Sequence, residues 1–484
     1  MGFLMDGLDA EAYDRSYTDR ALVRRILSYF RPEGRKMLMV VLAIVLTALI
    51  DTSLPILISR SLDRLQGQVA RLDLLIIAGT IAGLASLSWL FNYGRRTLSA
   101  RAVGSVVLRL REDAFDAVVA RDLSFYDTFA SGKVVSRVTS DTQAFSQVVT
   151  LTIDLMSQLL LVLFLIGYLF SVDARLTWMT LALTPFIVGA ALGFRTFARN
   201  AITQARRMGA VVSSHVQETV SGIGVAKSFR QEAAIYQEFR GVNEQSYHIN
   251  LRTGLIFSGI FPILNILAGI GTATLVYFGG ESVKAGQLSP GDWYLFIQGL
   301  GLFWFPLTSI ASFWSQFQIG LAAGERVFAL IDAEPAVVQV DDIKLGDVRG
   351  EIRFEHITFR YNAQEQVLDD FSLTIQPGET IALVGHTGSG KSSLVKLIAR
   401  FYEFQGGRLL IDGHDIRSLD LATYRQHLGM VTQSPFLFDG SVRDNIRYGN
   451  QSASDEQVNE AARQVGGGDW IQGLPNGLDT EVGE

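Results

Sequence analysis

Six stretches of this chain, Met37–Ile58, Leu74–Phe91, Leu155–Val172, Leu176–Phe194, Leu255–Gly280 and Trp293–Gly324, are each long and apolar enough to cross a bilayer, which takes ~20 helical residues. All but the first are free of Asp, Glu, Lys and Arg, and the first is interrupted by Asp51, close to Pro55. Their number and length exclude a soluble protein with buried helices. Charged residues make up only 19 % of the chain and hydrophobic ones 48 %, which excludes a disordered chain. A net charge of −6 lacks the basic footprint of a nucleic-acid binder. Cysteine is absent, so disulfides, thiol catalysis and cysteine-ligated metals are excluded. The six histidines are scattered and form no HExxH pattern.

Orientation follows from the basic residues between the spans. The tail before the first span, the segment Arg95–Arg137 and the segment Arg195–Arg252 together carry twenty-three Lys and Arg, against five in the alternate connections. Both termini are therefore expected in the cytoplasm. Met1–Lys36 is polar and mixed in charge, without the short apolar run of a cleaved leader. The cytoplasmic connections after the second and fourth spans each run to roughly 60 residues without helix breakers. Two helices and a turn suit each of them, with arms of ~25 residues reaching ~38 Å beyond the membrane. The turns are expected near Phe125–Gly132 and Ser221–Ala226.

After Gly324 the chain becomes ordinary in composition, with short β-like runs. Within it, Gly385-His386-Thr387-Gly388-Ser389-Gly390-Lys391-Ser392 fits the P-loop pattern G-x-x-x-x-G-K-[ST]. Thr380–Val384 reads as a buried strand before it, and Lys391–Ala399, including Ser393, as the helix after it. The glycines let backbone N–H groups converge on phosphate oxygens. The helix N-terminus and Lys391 add positive charge, and Ser392 offers a hydroxyl to Mg²⁺. The chemistry expected here is binding of ATP with Mg²⁺.

A membrane domain of six spans followed by a P-loop domain resembles the ABC exporters of the multidrug and lipid-flippase half-transporter type. The resemblance covers nearly the whole chain from about residue 20. It implies a six-transmembrane-helix exporter domain with long cytoplasmic helical hairpins, followed by an incomplete α/β P-loop ABC nucleotide-binding domain. The corresponding boundaries are a cytoplasmic elbow segment at 1–36, the membrane domain at 37–324, a linker at 325–348 and the nucleotide domain at 349–484. The resemblance assigns Tyr361 to stacking on adenine, where the alternative is an edge-strand tyrosine. It assigns Gln433, within Val431-Thr-Gln433, to Mg²⁺ and the attacking water, where the alternative is a surface-loop glutamine. Leu123–Asp127, Ser131–Asp141 and Glu218–Ile223 with Lys227–Phe229 resemble the family's coupling segments, and Glu325-Arg326 its closing pair. Leu410-Ile-Asp-Gly413 reads as a structural turn.

The resemblance stops at Leu474–Glu484, where the family goes on to its signature motif. No LSGGQ-type signature, strand ending in Asp and Glu, or switch His is found before Glu484. The chain as given is therefore expected to be truncated, to bind nucleotide weakly and not to hydrolyse it alone. The resemblance further implies a second half-transporter as partner, identical or not, an amphipathic or lipid-like cargo, and a place in the bacterial plasma (inner) membrane. The alternative is an ATP-binding, non-hydrolysing half of a heterodimer. Phe296, Phe303, Trp304, Phe305, Phe313, Trp314 and Phe317 of the last stretch could receive cargo or simply pack. Asp51 is either functional or a polar residue near the outer interface.

Overall fold

The computed structural model describes residues 17–65, 70–362 and 365–483; Arg15, counted above in the basic tail, lies outside them. The chain divides into two compact units, Met1–Pro335 and Ala336–Glu484.

Among its described residues, the first unit is almost all helical. It begins with α1 (Asp19–Phe30), capped by the Thr18 hydroxyl, then α2 (Gly34–Arg64) and α3 (Arg71–Val119). Two short helices follow, α4 (Leu123–Thr128) and α5 (Ser131–Ser136), and a single π turn at Arg137–Asp141 leads into α6 (Thr142–Val172). Asp173 stops α6 and caps α7 (Ala174–Ala182) by accepting from the Leu176 N–H at 2.9 Å. Pro185 then sits in the first turn of α8 (Thr184–Ser221), where its missing N–H costs nothing. The last three are α9 (Ile223–Ser228), α10 (Glu232–Lys284) and α11 (Pro290–Asp332).

Among the described residues, five helices are long and apolar enough to cross a membrane, and they carry the first five expected spans. The sixth expected span falls in α11, where the side chains of Trp304, Phe305 and Trp314 lie outside the described ones. At 53 residues, α10 is roughly 80 Å long, more than twice a ~30 Å hydrocarbon core. The excess forms arms that project beyond the apolar spans. Their turns fall at α4–α5 and α9, as loop midpoints alone indicate.

Several apolar clusters hold this unit together, and two of them are the largest among the described residues. One gathers Leu165, Leu169, Leu176, Leu275, Leu295 and Phe296 from α6, α7, α10 and α11. The other joins Leu22 of α1, Leu110 of α3, Phe125 and Phe129 of the first hairpin, and Val327 and Phe328 at the end of α11. Large apolar side chains such as Leu42, Leu75, Trp89, Leu163 and Ile266 remain exposed along the spans, which suits helices surrounded by acyl chains rather than water.

The second unit is built on β1 (Ile352–Asn362), β2 (Glu365–Ile375), β3 (Gly406–Ile411) and β4 (His414–Asp415). They form one antiparallel sheet in the order β2-β1-β3-β4, with Ile352 paired to both Ile375 and Ile411. Phe354, Ile357 and Phe359 of β1 are buried. Asp412 and Gly413 both take positive φ, 49° and 84°, as a two-residue hairpin turn requires. The Asp412 carboxylate also accepts from the N–H groups of Arg349, Gly350 and Glu351. Desolvation pushes its pKa up, but these three donors outweigh it and the net shift is down. That turn is structural, as read from the sequence.

Two expectations need correction. Thr380–Val384 is not a buried strand: no ladder partner flanks it among the described residues, and Val384 is 92 % exposed. A strand exists through its neighbours' hydrogen bonds, so an apolar run alone does not make one. The stretch 325–348 is also not a free linker. Residues 325–332 complete α11, with Val327, Phe328, Ala329 and Leu330 fully buried. Val340 and Ile343 donate to the carbonyls of Arg417 and Ser418, which fastens this stretch to the second unit.

Candidate functional site

The glycine-rich loop leads directly into α12 (Lys391–Ile398). Gly388 and Gly390 both have φ of +87°, a conformation open to glycine and strained for other residues. A Cβ on Gly390 would also lie 3.1 and 3.2 Å from the side chains of Val367 and Leu368 on β2. Glycine there lets the loop close onto the sheet. The Lys391 ammonium reaches back over the loop, donating to the carbonyls of Gly385 (2.9 Å) and His386 (2.8 Å), with Ser389 Oγ at 3.4 Å. Gly385, His386, Thr387, Gly388 and Ser389 are exposed, as is the Ser392 hydroxyl at the start of the helix. A positive charge thus sits inside a ring of exposed backbone at a helix N-terminus, an arrangement that accepts phosphate oxygens. The residues present fit a nucleotide phosphate chain.

The far end of α12 is fixed by side chains that bind its last carbonyl and one just beyond it. Tyr424 Oη donates to Ile398 O at 2.8 Å, and Arg425 Nη2 to Arg400 O at 3.0 Å. Burial raises the Tyr424 pKa and lowers that of Arg425, so the phenol stays protonated as a donor.

Tyr361 lies beside this helix. Its hydroxyl is 2.9 Å from Ser393 Oγ, and its ring meets Tyr402 edge-on with centroids 5.1 Å apart. Tyr361 is 38 % exposed while Ser393 is buried. The structure therefore brings Tyr361 to within one hydrogen bond of the P-loop helix. Sequence reasoning missed Lys396, whose Nζ lies 5.6 Å from the Tyr361 ring centroid and 5.2 Å from that of Tyr402. The signal was available, since Ser393 and Lys396 are three apart and share a helix face. Gln433 is exposed in an irregular segment and makes no hydrogen bond to the loop among the described residues.

In the membrane unit, two motifs quoted separately from the sequence meet. Arg326 donates from Nε to Asp141 Oδ2 at 2.8 Å and from Nη2 to Oδ1 at 2.6 Å. This two-pronged pair, with side chains 16 % and 13 % exposed, ties the end of α11 to the π turn of the first hairpin. Glu325 accepts from the Tyr17 N–H at 2.9 Å. Asp51 accepts from the Ser88 hydroxyl of neighbouring α3, so its carboxylate is engaged between helices.

Comparison with known proteins agrees with this arrangement. Residues 37–307 match the model of the ABC transporter transmembrane region, and residues 368–478 match that of the ABC transporter domain. An ATP-dependent lipid A-core flippase of Albidiferax ferrireducens is 33 % identical over 97 % of this chain and 81 % of its own length. One from Syntrophus aciditrophicus is 30 % identical over 96 % of this chain and 77 % of its own. A fatty acid ABC transporter ATP-binding/permease protein of Mycobacterium bovis is 33 % identical over 78 % of this chain and 60 % of its own. With both regions matched on one polypeptide, and with relatives aligned across nearly its whole extent, this chain belongs to the ABC transporter family, as an exporter-type half-transporter.

Proposed function

We propose that this half-transporter pairs with a second one and uses ATP to flip or export an amphipathic, lipid-like molecule across the bacterial plasma membrane, with both termini in the cytoplasm. The observation that carries this reading is the seating of Tyr361 one hydrogen bond from the helix that Lys391 begins. An aromatic platform for a base on β1 and a cradle for phosphates then stand beside one another at the same helix.

Within that reading, the backbone of the exposed loop Gly385, His386, Thr387, Gly388 and Ser389, with the buried Gly390 that closes it, orients the phosphates. Lys391 exchanges its two loop carbonyls for phosphate oxygens, and Ser392 offers its hydroxyl to Mg²⁺. Ser393 holds the Tyr361 ring in place for the adenine. Gln433, on its exposed segment, is assigned to Mg²⁺ and the attacking water. Bound ATP supplies the free energy that biases the conformational equilibrium. α4–α5 and α9 are the segments assigned to carry that bias to the spans. Lipid-flippase and fatty-acid relatives support a lipid-like cargo.

The half-transporter as its native cell produces it, reconstituted in vesicles, tests this. Movement of a fluorescent phospholipid between leaflets should require ATP with Mg²⁺ and be abolished in Lys391→Ala. Tyr361→Ala should weaken ATP binding roughly 5- to 100-fold, the loss of one base–aromatic stack, and Tyr361→Phe should retain most of it. Unchanged ATP-dependent movement in Lys391→Ala would overturn the proposal.

A further inference from the structure

A cavity of about 720 Å³ lies where α1, the start of α2, α6 and α11 converge, within the membrane unit. Its volume is in the range of ~300–1,000 Å³ typical of sites that enclose small molecules. Phe145, Val149 and Ile153 of α6 line it together with Phe317 and Leu321 of α11. The α6 residues directly precede the apolar stretch Leu155–Val172, and those of α11 lie in the last turns of Trp293–Gly324. The cavity therefore sits at the edge of the hydrocarbon layer, on the side from which the long hairpins project. Gly320 allows the two helices this approach, because a Cβ there would lie 2.1 Å from Val148 Cγ2.

The polar groups of this cavity are distributed unevenly. Thr152 spends its hydroxyl on the Val148 carbonyl, and Ser28 on that of Arg25. What remains is Arg24 and Arg31, both lining the cavity and both exposed. They are seven residues apart along nearly continuous helix, hence on one face and roughly 10 Å from each other along the axis. Three neighbouring basic residues are committed: Arg25 grips the Asp332 carboxylate, while Lys36 and Arg109 share Glu33. Among the described residues, Arg24 and Arg31 make no ion pair.

An apolar trough at the membrane edge with two uncommitted guanidinium groups at its rim matches one chemistry, an acyl chain attached to an anionic phosphate headgroup. We infer that this cavity holds an anionic phospholipid of the cytoplasmic leaflet as a resident ligand, its chain against α6 and α11 and its headgroup at Arg24 and Arg31. Arg pairs well with phosphate, and the cytoplasmic leaflet is where basic residues find anionic lipid. The bound lipid bridges α1 to α6 and α11. The inference rests on the orientation given under the proposed function.

Native mass spectrometry of the full chain in detergent, incubated with phosphatidylglycerol or phosphatidylcholine and without nucleotide, tests it. The wild type should retain phosphatidylglycerol roughly thirtyfold better, as two basic residues at an anionic surface imply. Arg24→Gln with Arg31→Gln should bring that retention down to the phosphatidylcholine level, and the double Lys variant should restore the preference. Thr152→Trp, which fills the trough, should lower retention of both lipids. Equal retention of the two lipids by the wild type, or an undiminished preference in the double Gln variant, would overturn the inference. A chain that fails to flip lipid with ATP but keeps the preference would overturn the transport proposal alone.

Discussion

The two long helical hairpins share a design, a pair of long arms joined by one or two short helices at the tip, and have opposite surroundings. The first is folded into its own chain: Phe125, Phe129 and Val134 at its tip are buried against Leu22, Val327 and Phe328, and Asp141 is clamped by Arg326. The second is bare. Val220, Val225, Phe229 and Tyr236 are 65 %, 65 %, 71 % and 63 % exposed, and Ala226 is the buried residue of its tip helix. Its two arms, α8 and α10, pack on one another more than on any other element. A row of exposed aromatic and branched side chains outside the membrane is a surface awaiting a partner. The first hairpin thus reads as part of the protomer's fold, and the second as its contribution to the proposed pair.

This contrast can be broken most directly at Arg326. Arg326→Ala leaves the buried Asp141 carboxylate without its main partner and should destabilise the membrane unit by about 3–5 kcal/mol, read as a large drop in melting temperature in detergent. Phe125→Ala should come next, at about 3 kcal/mol for an emptied buried site. Phe229→Ala, at the tip of the second hairpin, should change the melting of the isolated protomer by less than about 0.5 kcal/mol. Its effect should appear instead as weaker pairing by light scattering. Equal destabilisation by Phe125→Ala and Phe229→Ala would erase the distinction.

The smallest effect concerns pH. At the second tip, Lys227 meets Glu232 at 3.1 Å with both side chains well exposed. The Glu232 pKa is lowered, first by a backbone hydrogen bond at the helix start and then by Lys227. A depressed carboxylate contributes above its ordinary pKa, and that contribution is lost as pH falls through the depressed value. Hydrogen exchange at Ile223–Ser228 should therefore speed up modestly in acid, or in 1 M salt at neutral pH, where an exposed pair is screened. The buried Asp141–Arg326 clamp should be insensitive to the same salt.

How much of this was legible in the sequence depended on whether the signal was local. Spans and arms follow from runs of apolar or helix-compatible residues, so both hairpin turns were placed from loop midpoints. Gly388, Gly390 and Lys391 announce the phosphate cradle because their spacing is itself the geometry. Thr380–Val384 failed because a strand needs neighbours that its own residues do not specify. The Asp141–Arg326 clamp and the Tyr361–Ser393 bond were equally invisible as pairs, although each member had been quoted, because 185 and 32 residues separate the partners. Nothing local in the sequence separates Arg24 and Arg31 from the other basic residues of that tail, because lining a cavity is a property of α6 and α11 as much as of α1.

The last long helix has a mechanical consequence. At its start, Ser289 and the Gly291 N–H are bound to Asp63 at 2.6 and 2.7 Å. At its finish, Asp332 is gripped by Arg25 and Arg326 by Asp141. Between these anchorages, Pro306 lies inside the helix and removes one backbone hydrogen bond. A rod riveted at both ends and softened at its centre bows instead of sliding. When its ends are driven together, the largest sideways travel belongs to the middle turns, and those are the turns flanked by Phe303 and Phe313.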